Sequence, residues 1–285
     1  KIADYALPAI KALYTEGIIN GTTGSDGKLY FNPNSSLTRA QAATMIGRTQ
    51  EKGYAERDPS ADIEGADACR KICILASLAF GTHVYPDSVY TEGITKITLQ
   101  DVDFADVWGG VIKLIGSVKK LENGQVHIMV CPMFVHRGSQ LASVDDVFNG
   151  IMVRGDATGD VVFYGKGAGK LPTASAVVAD VIDCVKHFKA RKYLFWEDAK
   201  PNYVADFGSM ETSAFVRVSA KDSDTALNTA ADVFGKITPL LAKRPVQGEA
   251  GFTVENLTEK ELSDKLAALE ARGVKVEGRI RISDY

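Results

Sequence analysis

The chain has 285 residues, 45% hydrophobic and 24% charged, which gives ample material for a core and excludes disorder as its main state. Its 33 basic and 36 acidic residues leave a net charge of −3, so there is no electrostatic footprint for nucleic acid, and no apolar run reaches the length of a membrane span. Four cysteines do not make a disulfide framework and suit a reducing, cytoplasmic setting. At roughly 150 residues per domain the length predicts about two domains. The chain starts at Lys1 with neither an initiator Met nor an apolar h-region, so a removed leader or a longer parent chain is expected.

Ala6, Ile10, Leu13 and Tyr14 share one helical face, and the pattern stops at Gly17. The polar loop Asn20-Gly21-Thr22-Thr23-Gly24-Ser25-Asp26-Gly27 follows, with several residues suited to positive φ. Thr38 is the expected N-cap of a second helix through Ala42, Met45 and Ile46. Residues 67–80 read as a helix with Ile72, Leu75, Ala76 and Ala79 on its buried face. Strands are expected over 126–130, 150–155 and 160–164. The run Gly165-Lys166-Gly167-Ala168-Gly169-Lys170 then breaks the pattern, and Pro172 and Thr173 open a helix over 174–185.

Beyond residue 193, residues 215–220 alternate as a strand, and 223–234 form an amphipathic helix capped by Ser223. Strands over 237–241 and 249–254 come next. Thr258 and Glu261 have capping-box spacing for a helix that reaches Arg272 and stops at Gly273, before a last strand over 274–282. This βαββαβ order is the ferredoxin-like split arrangement. The expected fold class is α+β: a mixed α/β domain around a central sheet, a ferredoxin-like C-terminal domain and a small helical N-terminal unit.

The richest polar cluster runs from Tyr54 to Lys71. Asp67 and Lys71, four apart, share a helix face, with Glu64 one turn earlier. Helix capping plus an exposed ion pair worth a few tenths of a kcal/mol accounts for this spacing without any function. A chemical role needs the lysine partly buried, so that desolvation favours its neutral form against the pull of the carboxylate. The glycine run is not a Walker loop, because only three residues separate Gly165 from Gly169 and Leu171 follows Lys170. It also fails the dinucleotide fingerprint, since Lys170 sits where the third glycine belongs. Close approach of backbone to a ligand and a plain tight turn both remain open there. No other strand in the chain is followed by G-x-G-x-x-G. Cys69 and Cys73 lack convergent third and fourth ligands and read as small core residues, so no metal site is expected. The histidines 83, 127, 136 and 187 are scattered, and the basic run 186–192 follows a helix whose dipole explains it.

Two resemblances rest on these residues. Gly53-Tyr54-Ala55-Glu56 through Arg70-Lys71-Ile72, Ile74 to Gly81, Tyr90-Thr91-Glu92-Gly93-Ile94, and Phe163 to Gly169 through Asp180 resemble homoserine dehydrogenase over residues 50–285. Within that span, the final stretch (191–285) is similar to the ACT regulatory module, departing where the usual Asp-x-Pro-Gly is Asp222-Ser223-Asp224-Thr225. Residues 1–49 resemble a single S-layer homology repeat, through Pro8-Ala9-Ile10, Gly17 to Gly21, Phe31-x-Pro33-Asn34 and Leu37 to Gln41. The chain thus reads as a mosaic of residues 1–49, 50–190 and 191–285.

The first resemblance implies hydride transfer between a nicotinamide cofactor, NAD or NADP, and C4 of homoserine, giving aspartate semialdehyde for threonine and methionine synthesis. Lys71 matches the family's catalytic lysine and would shuttle the hydroxyl proton, while Asp67 would hold that lysine or a bridging water. Glu56, Asp62 and the Tyr54 backbone would position the substrate, Gly21 and Thr22 match substrate-side positions, and Gly167, Ala168 and Gly169 match the backbone near the nicotinamide. A doubly wound cofactor domain of roughly 120 residues has no counterpart here, so impaired turnover by these residues alone is expected. Pairing of subunits, a dimer first, is implied as well. The second resemblance implies weak binding of cell-wall polysaccharide and a place in the cell envelope, and the ACT likeness allows an amino-acid sensor.

Overall fold

The computed structural model describes residues 7–15, 17–23, 26, 28–30, 45, 48, 58–190 and 195–284. In chain order its elements are α1 (Leu7–Thr15), β1 (Thr22–Thr23), β2 (Leu29–Tyr30), α2 (Ser60–Ile63), α3 (Ala66–Phe80), β3 (Tyr90–Thr91), α4 (Leu99–Trp108), β4 (Gly110–Lys120), β5 (Val126–His136), β6 (Phe148–Gly155), β7 (Gly159–Lys166), α5 (Lys170–Lys186), β8 (Glu211–Ser219), α6 (Ser223–Phe234), β9 (Thr238–Leu240), β10 (Glu249–Thr258), α7 (Glu259–Ala271) and β11 (Lys275–Ile282). They fall into two compact units, residues 1–59 with 144–191, and residues 60–143 with 192–285. Each unit is built from two separate stretches of chain, which a linear division of the sequence does not express. The helix expected after Thr38 lies almost wholly outside the described residues.

In the first unit, α1 ends where the sequence places its stop: Gly17, at φ 67°, turns the chain, and Ile18 N–H donates to Leu13 C=O at 2.9 Å. The polar loop that follows carries a short hairpin, with Thr22 opposite Tyr30. Asp26 secures it by accepting from Lys28 N–H at 3.1 Å and from the Tyr30 hydroxyl at 2.6 Å. β6 and β7 form a regular antiparallel hairpin from Phe148↔Lys166 to Gly155↔Gly159, with Gly159 at φ 68° closing a three-residue turn. The Phe148 and Tyr164 rings stack across it at 4.7 Å. α5 then starts at Lys170, ahead of the expected position, and Val177, Val181 and Val185 form an exposed strip along it.

The second unit holds a seven-stranded sheet among the described residues. β4 and β5 pair antiparallel over eleven residues around the turn at Asn123-Gly124, Gly124 having φ 85°. On its other side β5 meets two short parallel partners, β3 at Met129 and Val130 and β11 at Met133 and Phe134. Pro132, which has no N–H to donate, falls in the gap between them, so the strand runs on past residue 130. β11, β8, β10 and β9 follow in antiparallel order, which is the ferredoxin-like arrangement expected from the sequence. The α+β fold class holds.

One detail of that arrangement differs from expectation, and one agrees with it. α6 is capped by Asp222, not Ser223: its carboxylate accepts from Thr225 N–H at 2.7 Å, a geometry that also favours a negative charge at a helix N-terminus. The capping box of α7 has both arms, Glu261 N–H to Thr258 Oγ1 at 3.2 Å and Thr258 N–H to Glu261 Oε2 at 2.8 Å. Val216, Phe252, Leu262 and Leu269 fill the core between α6, α7 and the sheet, each contributing about 1.5–3 kcal/mol by burial. A second core lies under α3, and its face is rotated from the expected one. Cys69, Cys73 and Ala76 are buried against Val126, Ile128 and Val130, while Ile72 is half-buried and Ala79 exposed. The small thiols let α3 sit close on β5, which the larger Ile and Leu side chains would prevent.

Candidate functional site

The site begins at the joint between α2 and α3. Gly65 sits in the left-handed region at φ 82°, and a Cβ there would meet Thr91 Cγ2 at 3.2 Å and Val130 Cγ1 at 3.3 Å. It opens α3 without a side-chain cap. One turn on, Lys71 Nζ and Asp67 Oδ2 lie 2.5 Å apart on the same face. The lysine side chain is 59% exposed and the aspartate 39%, so the burial that would desolvate the ammonium is not provided around this face. Asp62, exposed, closes α2 just before the joint, its C=O accepting from Gly65 N–H at 3.2 Å. Glu64 lies in the turn and not on the helix. Tyr54 and Glu56 lie outside the described residues.

The joint is clamped from below by residues 91–94. Ile94 N–H donates to Ile63 C=O at 2.8 Å, and a Cβ on Gly93 would fall 2.2 Å from that oxygen and 2.4 Å from Glu64 Cα. Glu92 N–H in turn donates to Val130 C=O at 2.8 Å, extending the pairing of β3 with β5. Sequence reasoning placed Glu92-Gly93-Ile94 only in a resemblance. No periodicity or spacing announces it, because the approach of Gly93 to Ile63 and Glu64 exists only in the folded chain.

The other expected site residues belong to the first unit. Gly21 is exposed with φ 68°, and Thr22 starts β1. Gly167 packs against its own hairpin: a Cβ there would fall 2.0 Å from Asn149 Nδ2, and its N–H donates to Val147 C=O at 3.1 Å. Gly169 is buried at φ 111° and leaves the first turn of α5 without a side-chain cap. The loop therefore offers backbone amides at a helix start, which fit a polar group at one end of a cofactor. It does not fit a whole dinucleotide, for which the phosphate-binding fingerprint is lacking.

Other polar groups have local explanations. Burial, and then the neighbouring Cys69, push the Cys73 thiol up to about 12, as befits an inert core residue. Trp196 Nε1 donates to His83 Nδ1 at 2.9 Å, and His187 Nδ1 lies 2.8 Å from Asp183 Oδ1 at the end of α5. Ser209 Oγ, 3.4 Å from His127 Nε2, donates to Asp206 C=O at 2.7 Å, so that histidine does not activate it.

The family model for homoserine dehydrogenase matches residues 3–182. The homoserine dehydrogenase of Pseudomonas aeruginosa is 33% identical over 290 residues, covering 93% of this chain and 65% of that protein. That of a Synechocystis strain is 43% identical over 173 residues, 59% of this chain and 39% of the relative. A crystal structure of homoserine dehydrogenase from Thiobacillus denitrificans has a TM-score of 0.68 at 33% identity and covers 85% of this chain and 58% of that one. The S. aureus enzyme at pH 7.0 has a TM-score of 0.64 at 29% identity, over 85% and 59%. The chain spans less than two thirds of the length of each of these proteins. Because the match starts at residue 3, it takes in the stretch that resembles an S-layer homology repeat, and these matches support neither that repeat nor an ACT assignment farther on. Similarity that runs through most of both compact units, in sequence and in fold, decides the question: this chain belongs to the homoserine dehydrogenase family.

Proposed function

We propose that this chain carries the substrate side of a homoserine dehydrogenase, with Asp67 and Lys71 at the reacting hydroxyl. The observation that carries the reading is the Asp67–Lys71 pair, 2.5 Å apart on an open helix face, in a chain that the family model matches over residues 3–182. Oxidation of homoserine to its semialdehyde removes a hydride from C4 and a proton from the hydroxyl. A bound nicotinamide cofactor, NAD or NADP, supplies the hydride acceptor. Lys71 Nζ takes the hydroxyl proton once bound substrate and cofactor supply the desolvation that this open face lacks, and Asp67 keeps the amine aimed at that oxygen. In the reverse direction the ammonium returns the proton to the new alkoxide. By the family likeness Asp62, Glu56 and the Tyr54 backbone would position the ammonium and carboxylate surroundings of the substrate, and Gly21 and Thr22 match substrate-side positions. Gly167, Ala168 and Gly169 present backbone to the nicotinamide end of the cofactor.

The reading includes turnover that depends on cofactor binding from outside these residues, since no strand here leads into a G-x-G-x-x-G loop. It also includes pairing of two chains and an ACT-like role for residues 191–285, in which the antiparallel order β11-β8-β10-β9 suits such a module. Titration calorimetry with L-homoserine tests the core of the proposal. Binding is expected for the chain and a loss of at least about tenfold in affinity for Lys71→Ala. Equal affinity in both proteins would sink the assignment of Lys71. Homoserine-dependent reduction of NAD or NADP at a full enzymatic rate by the chain alone would overturn the dependence on an outside cofactor domain.

A further inference from the structure

A buried charge cluster lies on the far side of Glu92 from the α2–α3 joint. Arg281 on β11 is 1% exposed, and Glu259, the first residue of α7, is 3% exposed. Arg281 Nε and Nη2 donate to the two carboxylate oxygens of Glu259 at 2.6 and 3.0 Å, the forked geometry a guanidinium favours. Its remaining nitrogen, Nη1, donates to Glu92 Oε2 at 2.9 Å, and the Tyr90 hydroxyl donates to the same oxygen at 2.8 Å. The guanidinium lies 4.8 Å from the centre of the Tyr90 ring, which stacks on Phe207 at 3.8 Å. Burial acts to raise the Glu92 carboxyl, but hydrogen bonds from Tyr90 and Arg281 and the charges of Arg281 and Arg279 outweigh it and hold the group below the usual carboxylate range.

A buried ion pair is a poor device for stability, because packed apolar side chains do as well at lower desolvation cost. Its use is to fix position. What it fixes here is Glu92, and the backbone on from Glu92 is the clamp under the joint: Gly93 against Ile63 and Glu64, and Ile94 N–H on Ile63 C=O. The chain of contacts runs from the C-terminal strand through Arg281 and Glu92 to the helix that bears Asp67 and Lys71.

We infer that Arg281 and Glu92 are positioning residues for the Asp67–Lys71 site, so that the ferredoxin-like part of the chain sets the placement of α3. The inference rests on the role proposed above for that pair. The test measures amide hydrogen exchange and homoserine affinity on the full chain for the wild type, Glu92→Ala, Glu92→Gln and Leu262→Ala. Glu92→Ala leaves Arg281 paired with Glu259, so the fold survives it. Exchange at Ile94 and Gly65 is expected to speed up about tenfold and affinity to fall by a comparable factor, within the range of coupling through packed contacts. Glu92→Gln, which still accepts from Tyr90 and Arg281, restores most of both. Leu262→Ala loosens the core one turn along α7 from Glu259 but leaves the Glu92 contacts in place, so it lowers the affinity by less than Glu92→Ala does. Full protection at Ile94 and Gly65 in Glu92→Ala overturns the inference, as does lost protection with unchanged affinity. A fall in affinity for Leu262→Ala equal to that for Glu92→Ala overturns it too, by reducing the effect to general loosening. Failure of the wild type to bind homoserine overturns the functional reading instead, and the exchange data still decide the positioning.

Discussion

Gly93→Ala tests the clamp with a single methyl group. The new Cβ would fall 2.2 Å from Ile63 O and 2.4 Å from Glu64 Cα, both backbone atoms that no rotamer change can move. Reaching ordinary contact requires a shift of about 1.3 Å. A displacement of that size breaks the 2.8 Å hydrogen bond from Ile94 N–H to Ile63 C=O, a loss of about 1 kcal/mol. Overpacking adds about 1–3 kcal/mol, so the substitution should cost about 2–4 kcal/mol in all. Gly65→Ala supplies the contrast. Its Cβ contacts start at 3.2 Å and only side-chain atoms stand within 3.4 Å, so its cost is mainly the left-handed φ, about 1–2 kcal/mol. The chain's two tryptophans, Trp108 and Trp196, both belong to residues 60–143 with 192–285. Urea unfolding followed by tryptophan fluorescence therefore reports the unit that contains the clamp, and a midpoint shift at constant slope gives the cost. A loss below about 0.5 kcal/mol for Gly93→Ala, or a larger loss for Gly65→Ala, would refute the reasoning.

Two further outcomes are expected. Leu262→Ala, at a fully buried position between α7 and the sheet, should cost about 2–5 kcal/mol in the same urea assay, and a cost under about 1 kcal/mol would mean that this core repacks freely. His127 is held below its ordinary value of 6.5, first by burial and then by Lys119, so the folded chain binds this proton more weakly than the unfolded chain does. Its contribution to stability is intact above the unfolded value of about 6.5 and is lost as the pH falls below it and through the lower folded value, by at most about 1.4 kcal/mol per pH unit. His127→Gln should flatten that part of the stability profile measured between pH 7.5 and 5, and an unchanged slope would assign the titration elsewhere.

Most elements whose apolar residues follow a clear period were legible in the sequence. The βαββαβ order of the last third is one case, and the capping box at Thr258 is another, because its two arms are set by a spacing of three. α4 was not legible: Leu99 and Val102 are exposed, and its inward residues include Asp101, buried beside Arg217 with Oδ1 to Nε at 2.8 Å. β4 is not among the expected strands although Asn123-Gly124 marks its hairpin, and the expected strand over 126–130 is the first half of β5, which continues through Pro132 to His136. The candidate site was legible only as far as it is local. Asp67 and Lys71 are four residues apart, so one helix turn brings them together. Glu92 and Arg281 are 189 residues apart, and Arg281 alternates with isoleucines in a strand, a pattern that reads as facing solvent. It is buried because β11 lies between β5 and β8, with both faces of the sheet covered there.

The energetics of the site run opposite to those of a stabilising feature. An exposed i, i+4 ion pair such as Asp67–Lys71 contributes between nothing and about 1 kcal/mol, and α3 begins without a side-chain cap, forgoing about another 1 kcal/mol. Beneath this weak surface the backbone is over-determined: a left-handed Gly65, a Gly93 with no room for a methyl group, and a main-chain hydrogen bond from Ile94. A helix that needed only to be stable would be capped at its start. Rigid support under an inexpensive, solvent-facing pair makes sense where the position of the amine and carboxylate matters more than their contribution to folding. Fixed placement is one of two things that the proton transfer proposed for Lys71 needs, since the amine must meet a substrate oxygen within hydrogen-bond reach each time one binds; the other, desolvation, has to come with the bound substrate and cofactor. The same reasoning accounts for Arg281: desolvating a guanidinium to hold a carboxylate is wasteful for stability, and it is economical only if Glu92, and what rests on it, has to stay in one place.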